Sequence, residues 1–129
     1  MYPAEFRYSK EHEWVKIDGD RAAVGITDFA QQQLGDVVLV ELPEAGSSFA
    51  AAEVFGNIES VKAVSELFLP VSGEIVEVNQ AAVDSPEMIN KDPHGEAWLV
   101  VVKLTNPTEL EGLLSVEDYQ KYVEEEAGN

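Results

Sequence analysis

The sequence predicts a mainly β protein in which two similar halves pack as a flattened barrel or sandwich, followed by a helical C-terminal tail. Short apolar runs alternate with turn residues along most of the chain, which is typical of strands. Residues 73–78 (GEIVEV) match residues 35–40 (GDVVLV) at a constant offset, so a strand unit is repeated. Helix-start signals follow at Asn106 and Ser115. Each half of such a repeat can cover the apolar face of the other.

The first half alternates strands with tight turns. Gly19 suits a hairpin turn, Thr27 can cap a short helix, and Gly35 suits the C-terminal end of that helix. The predicted elements are an arm over residues 1–10 that pairs with the body only at its end, strands over 12–17 and 21–26, a helix over 28–34, a strand over 36–42, a turn at 43–46 and a bend over 47–52.

A second hairpin is predicted in the middle of the chain. Residues 54–58 and 64–70 are strand-like and flank the polar break 59–63, which places Lys62 near the tip. The amine of Lys62 is then held away from the sheet. Most exposed lysines are simply solvated, so the role of this one depends on the rest of the chain.

The second half repeats the strand pattern and then becomes helical. Its predicted elements are a strand over 73–78, a helical turn over 85–89 capped by Ser85, a strand over 98–104, a helix over 106–114 and a final helix opened by Ser115. We expect the acidic residues 124–126 to form a frayed, solvated end. We predict one domain over residues 1–129, with its core at about 12–104 and its tail at about 106–126.

Composition restricts the possible functions. The 129 residues contain no cysteine, which excludes disulfides and cysteine nucleophiles, so any sulfur chemistry requires an attached group. The formal charge of −17 repels nucleic acid and anionic lipid, and it favours basic surfaces on partner proteins. We recognise no signal peptide and no run of about 18 apolar residues, so we expect a cytoplasmic protein that binds neither membrane nor nucleic acid.

The side chains available for catalysis are few. His12 and His94 lie far apart and lack the spacing of metal ligands, and no nucleophile elbow or phosphate-binding loop is present. We therefore predict no catalytic residue and no metal site. Lys62 lies between Glu59 and Glu66, whose charges stabilise its ammonium form and oppose Schiff-base catalysis. Presentation of Lys62 to another enzyme fits better, while a Schiff-base enzyme and a pure interaction module remain alternatives.

Residues 59–63 (ESVKA), followed by residues 70–79, resemble the lipoyl-attachment hairpin and the next strand of the glycine cleavage H-protein family. The resemblance extends over nearly the whole chain, through segments at 11–14, 24–28, 34–43 and 90–98. It implies a barrel-sandwich hybrid fold of the lipoyl and biotinyl type. It also implies that lipoate is attached to Lys62 by an amide bond.

The resemblance further implies a carrier that is not an enzyme. The lipoyl arm would take the aminomethyl group of glycine from the P-protein, a pyridoxal-phosphate glycine decarboxylase, and present it to the T-protein, an aminomethyltransferase. The L-protein, dihydrolipoamide dehydrogenase, would reoxidise the arm. A lipoyl- or octanoyl-transferase or ligase would recognise the attachment hairpin, for which we name Glu59, Ser60, Val61 and Ala63 beside Lys62.

In the family the loaded arm is held in a cleft, and we select Glu13 as the candidate to contact its amine, against the alternative of a solvated strand residue. Four positions depart from the family pattern and put the contacts of the cleft in doubt: His94, Ala97, Phe29 and Gln33. A relay of lipoate or octanoate to other lipoyl domains remains an alternative function. A biotinyl carrier fits less well, because Val61 and Ala63 stand where biotinyl hairpins have methionines.

Overall fold

A computed structural model describes residues 2–127, and two antiparallel β-sheets form its body. Residues 1, 128 and 129, which the predicted domain includes, lie outside the described residues. The strands are β1 (Arg7–Tyr8), β2 (Glu13–Asp18), β3 (Arg21–Ile26), β4 (Val37–Glu41), β5 (Ser48–Phe49), β6 (Val54–Ser60), β7 (Val64–Phe68), β8 (Gly73–Val78) and β9 (Val100–Leu104). The α-helices are α1 (Asp28–Leu34), α2 (Gln80–Asp84), α3 (Met88–Lys91) and α4 (Val116–Ala127), and a 3₁₀ helix covers Pro107–Gly112.

The sheet topology separates the two copies of the sequence repeat. One sheet has the order β1-β2-β3-β9-β8-β5, and the other has the order β4-β6-β7. The repeated strands β4 and β8 therefore lie in different sheets, where β4 pairs with β6 and β8 pairs with β9. The prediction of a mainly β fold built from two halves is confirmed, with each described sheet open at its edges.

The hydrophobic core lies between the two sheets. Val24 and Val102 of the six-stranded sheet belong to the same buried cluster as Val40 and Ile58 of the three-stranded sheet. Burial of each such side chain stabilises the fold by roughly 1.5–3 kcal/mol. This shared core fixes the lysine-bearing hairpin, formed by β6 and β7, against the rest of the protein.

A second cluster is aromatic and attaches the chain ends to the body. The Tyr8 and Tyr119 rings stack with centroids 4.7 Å apart, and Phe6 stacks on Trp14 at the same distance. Gly25 makes room for the indole, because a Cβ atom there would lie 2.6 Å from the Trp14 ring. The N-terminal arm pairs as a strand only at β1, as predicted, while these rings hold α4 against it.

Several element boundaries differ from the predictions. The bend predicted over residues 47–52 contains the short strand β5, which pairs with β8. Helix α2 was not predicted, and Ser85 is its C-terminal cap, whose N–H donates to the Ala81 carbonyl, instead of the N-cap of the next turn. Pro86 disfavours helical geometry at Ser85, so α2 ends there; a turn in which the Met88 N–H donates to the Ser85 carbonyl follows, and α3 begins at Met88. The helix after Pro107 is 3₁₀, and none of the helices in residues 2–127 is long and apolar enough to span a bilayer.

Candidate functional site

The tip of the hairpin between β6 and β7 is held by a short network of hydrogen bonds. The Ser60 N–H donates to the Ala63 carbonyl at 2.8 Å, and the Ser60 hydroxyl accepts from the Ala63 N–H at 3.1 Å. The Val61 N–H donates to the carbonyl of Asp36, just before β4, at 3.0 Å. The backbone around Lys62 is thus fixed, and its side chain is exposed. The hairpin and the position of Lys62 agree with the sequence prediction.

The Lys62 stem lies over Gly35, at the C-terminal end of α1. A Cβ atom built on Gly35 would lie 3.5 Å from Lys62 Cε, and Gly35 has a φ of 78° that favours glycine. Asn90 of α3 holds this junction: its side-chain amide donates to the Gly35 carbonyl at 2.8 Å, and its Oδ1 accepts from the Val37 N–H at 2.9 Å. The hairpin tip, the end of α1 and helix α3, which are distant in sequence, therefore together set the direction in which the Lys62 side chain points.

A cleft of about 470 Å³ opens beside the hairpin. It lies between β2, α1 and β7, and Glu126 of the C-terminal helix α4 reaches its rim. One part of its wall is apolar, formed by Ile26, Phe29, Leu34, Ile58, Val64 and Leu67, and polar side chains line the rest. Ala63 and Val64 line it directly after Lys62, so a chain attached to Lys62 starts at the edge of the cleft.

Glu13 is the buried polar group of this cleft, with 2% of its surface exposed. The Ser9 hydroxyl donates to one carboxyl oxygen at 2.7 Å, and the Phe68 N–H donates to the other at 3.2 Å. Burial raises the pKa of Glu13 to about 8, although both hydrogen bonds act in the opposite direction. The alternative of a solvated strand residue is wrong, and the carboxyl is neutral over much of the range below pH 8.

His12 and the C-terminal helix close one side of the cleft, which sequence reasoning missed. His12 Nε2 lies 3.0 Å from a carboxylate oxygen of Glu126, and its Nδ1 lies 2.8 Å from the Tyr119 hydroxyl. The same hydroxyl lies 2.6 Å from Thr27 Oγ1. Burial lowers the pKa of His12, and the charge of Glu126 opposes that shift. The acidic end is therefore partly docked rather than simply solvated.

The four departures from the family pattern lie in three places. Phe29 and Gln33 line the cleft, so these two positions change its wall. His94 lies at the start of α1, where its Nε2 accepts from the Asp28 N–H at 3.0 Å, and Ala97 is buried in the main core. No three His, Asp or Glu side chains within residues 2–127 are grouped so that they could hold a metal ion.

This combination of fold and site defines a class of protein: a small β carrier domain that presents a lysine on a fixed hairpin and provides a cleft for whatever the lysine bears. The family model described as "Glycine cleavage H-protein" matches residues 6–126. The chain therefore belongs to the glycine cleavage H-protein family.

Similar proteins agree with this assignment. A glycine cleavage system H protein from Herpetosiphon aurantiacus is 57% identical over 125 residues, covering 97% of this chain and 95% of that protein. One from Carboxydothermus hydrogenoformans is 52% identical over 126 residues, covering 98% and 97%. A crystal structure of a glycine cleavage system H protein from Mycobacterium marinum superposes with a TM-score of 0.86 at 42% identity, covering 99% of this chain and 100% of that one.

The chain is accordingly a lipoyl carrier of glycine cleavage, and it works with other components of that system. The residues present fit a lipoyl group. An exposed amine at a fixed tip can form the amide, and the apolar part of the adjoining cleft wall matches a flexible hydrocarbon arm.

Proposed function

We propose that Lys62 is the residue that carries lipoate and that the chain itself is a non-catalytic subunit. The observation that supports this most strongly is the exposed Lys62 side chain on a hydrogen-bonded hairpin tip, directly beside a cleft with a partly apolar wall. A Schiff-base lysine is normally desolvated so that its amine is neutral, whereas Lys62 is exposed. Presentation of the amine to another enzyme is therefore the better account of its position.

When bound, lipoate supplies the sulfur that receives the aminomethyl group of glycine from the P-protein, releases it to the T-protein and is reoxidised by the L-protein. The chain has a positioning role in this cycle. The hairpin holds the attachment point, Gly35 leaves space for the lysine stem, and the cleft keeps a bound group away from water.

Glu13 is our candidate for the residue that contacts the amine of the cargo. A carboxylate at the buried end of an apolar cleft can pair with an alkylammonium group. Because burial raises the pKa of Glu13 to about 8, the carboxyl must lose its proton when the ammonium group enters at neutral pH. Pairing is then favoured as pH rises toward 8, since less work is needed to ionise Glu13.

The residues next to Lys62 have separate roles in its recognition by a lipoyl- or octanoyl-transferase or ligase. Ser60 and Ala63 shape the turn through their mutual hydrogen bonds. Val61 projects an apolar side chain that is 70% exposed, and Glu59 contributes charge on the strand below the tip. Together these four residues give the hairpin tip the shape and charge by which the enzyme recognises Lys62.

The cytoplasm stays our predicted location, and residues 1–129 stay our predicted single domain.

The test is the intact mass of the protein after expression in a host that makes lipoate. We expect an added mass of one lipoyl group on the wild type, and its complete loss in Lys62→Arg, which keeps the charge but cannot be acylated in the same way. Lys16→Arg is the matched control, because Lys16 is also an exposed lysine but lies on β2 and not at a hairpin tip. Lipoylation that persists in Lys62→Arg would place the attachment site elsewhere.

A further inference from the structure

Exposed apolar side chains are concentrated around the lysine hairpin. Four large hydrophobic residues with at least 40% exposure surround it within the described chain: Val38, Leu39, Val61 and Val64. Val61 and Val64 belong to the hairpin itself. Val38 and Leu39 belong to the neighbouring strand β4, outside the local sequence motif that surrounds Lys62.

The strand register places three of these positions in one row. Leu39 is paired with Glu59, and Glu59 is paired with Val64, so the three side chains share one face of the three-stranded sheet. The buried row Val40–Ile58 lies on the opposite face, toward the core. The row Leu39–Glu59–Val64 therefore faces outward, one step below the tip that bears Lys62.

A β-bulge enlarges this apolar surface. The pairing of β4 with β6 shifts between Val37 and Leu39. In a regular strand, alternation would point one of Val38 and Leu39 into the core, yet their exposures are 54% and 40%. The bulge thus exposes two consecutive apolar side chains beside the attachment hairpin, which a strand does not need for its own stability.

Acidic residues surround this surface. The next outward row is Glu41–Asn57–Glu66, and Asp36 lies before β4 at the tip. Lys62 is the only basic residue in the sequence between Arg21 and Lys91. A complementary partner would therefore present an apolar centre surrounded by Lys and Arg side chains.

The acylation reaction at Lys62 indicates which partner protein binds this exposed surface. To form an amide, the neutral Nζ attacks the carbonyl carbon of an activated acyl donor. The C–N bond forms, the bond to the activating group breaks, and an amine proton passes to solvent. The enzyme must therefore cover the residues around Lys62, whereas enzymes that act on the far end of an attached arm do not need that contact.

We propose that Val38 and Leu39, with Val61, Val64 and the acidic residues around them, form a docking surface for the enzyme that acylates Lys62. This proposal rests on the proposed function, because it takes Lys62 as the acylated residue. It adds that recognition extends from the hairpin to the bulged strand β4, and that the enzyme offers an apolar patch surrounded by basic residues.

The experiment measures the acylation of Lys62 by a purified lipoate–protein ligase supplied with lipoate and ATP. The test protein carries Val38→Thr and Leu39→Thr, which place β-branched residues on the strand and remove apolar surface. We expect KM for the carrier to rise about tenfold or more with kcat nearly unchanged, the pattern of lost docking contacts. Ile17→Thr and Val54→Thr are the controls, because these residues are 40% and 43% exposed but lie away from the tip, and we expect them to stay within about twofold.

A second variant tests the acidic residues independently of the apolar ones. We expect Glu41→Gln to raise KM and to weaken its dependence on salt, and we expect Glu74→Gln on β8 to do neither. An unchanged KM in both the Thr double variant and Glu41→Gln would overturn the docking surface while Lys62 is still acylated. A wild-type chain that is not acylated at Lys62 would instead overturn the proposed function. A concentration-dependent dimer that the Thr substitutions abolish would assign this face to self-association and also overturn the proposal.

Discussion

At the residue scale, Glu13 is the most unusual group in the molecule. It is a carboxyl on a strand, almost fully removed from water, with only a hydroxyl and a backbone N–H donating to it. No cation is among these partners, so burial dominates its ionisation. Below about pH 8 the Glu13 carboxyl keeps its proton unless a cationic group pairs with it.

This arrangement predicts a pH-dependent contribution to stability. The folded protein keeps the Glu13 proton up to about pH 8, while the unfolded chain loses it near 4.5. The stabilisation that the Glu13 proton gives to the folded state is therefore complete below pH 4.5 and is lost as pH rises to 8. We expect Glu13→Gln, which stays neutral, to gain free energy of unfolding relative to wild type over this range, by ~5 kcal/mol for the whole shift at about 1.4 kcal/mol per pKa unit. Urea unfolding at several pH values measures the difference.

Glu74→Gln is the matched control, since Glu74 is an exposed carboxyl on β8 that does not line the cleft. Its stability curve should run parallel to that of wild type. If the Glu13→Gln curve is parallel as well, Glu13 ionises normally and does not act as we propose. In Glu13→Gln we also expect normal lipoylation at Lys62 but faster loss of the aminomethyl cargo, because the carboxylate that pairs with its amine is missing.

At the element scale, α4 is more than a solvated tail. Its Tyr119 hydroxyl lies within hydrogen-bond distance of both His12 and Thr27, and its ring stacks on Tyr8. Glu126 on the same helix reaches His12 at the rim of the cleft. The helix therefore ties the N-terminal arm, the start of α1 and one wall of the cleft together.

We expect Tyr119→Phe to lower the free energy of unfolding by about 1–3 kcal/mol. The ring still packs on Tyr8, but His12 and Thr27 lose their shared hydroxyl partner. Amide hydrogen exchange should show faster exchange in α4 than in wild type. Lys121→Gln, an exposed position on the same helix, is expected to change neither quantity. Equal exchange in both variants would mean that packing alone holds the helix.

Sequence reasoning recovered the elements whose signals are local. Thr27 accepts from the Ala30 N–H as an N-cap, Gly35 ends α1, and the Lys62 hairpin has the predicted position. It could not recover features that depend on contacts between distant residues. Nothing near Glu13 indicates that Phe68 will approach it, and nothing near His12 indicates Glu126. The exposed pair Val38 and Leu39 depends on a bulge whose register is set by β6.

At the scale of the whole molecule, charge dominates the surface. The formal charge of −17 gives a long-range field that attracts basic partner surfaces. We expect the association rate constant with the P-protein and the T-protein to fall by about tenfold or more between low and physiological salt, since such steering is screened over roughly 10 Å at 0.1 M. Stopped-flow fluorescence measures this rate constant. If it does not depend on salt, the acidic surface serves solubility and does not steer partners.

The contacts of Asn90 determine whether the attachment site can be separated from its protein. This one side chain, supplied by α3 in the second half, donates to Gly35 and accepts from Val37, and Lys62 lies over Gly35. A peptide that copied only the hairpin would lack the support that directs the lysine. The attachment site therefore cannot be transferred as a short peptide: the smallest segment that keeps these contacts extends from α1 through α3, which is about half of the chain.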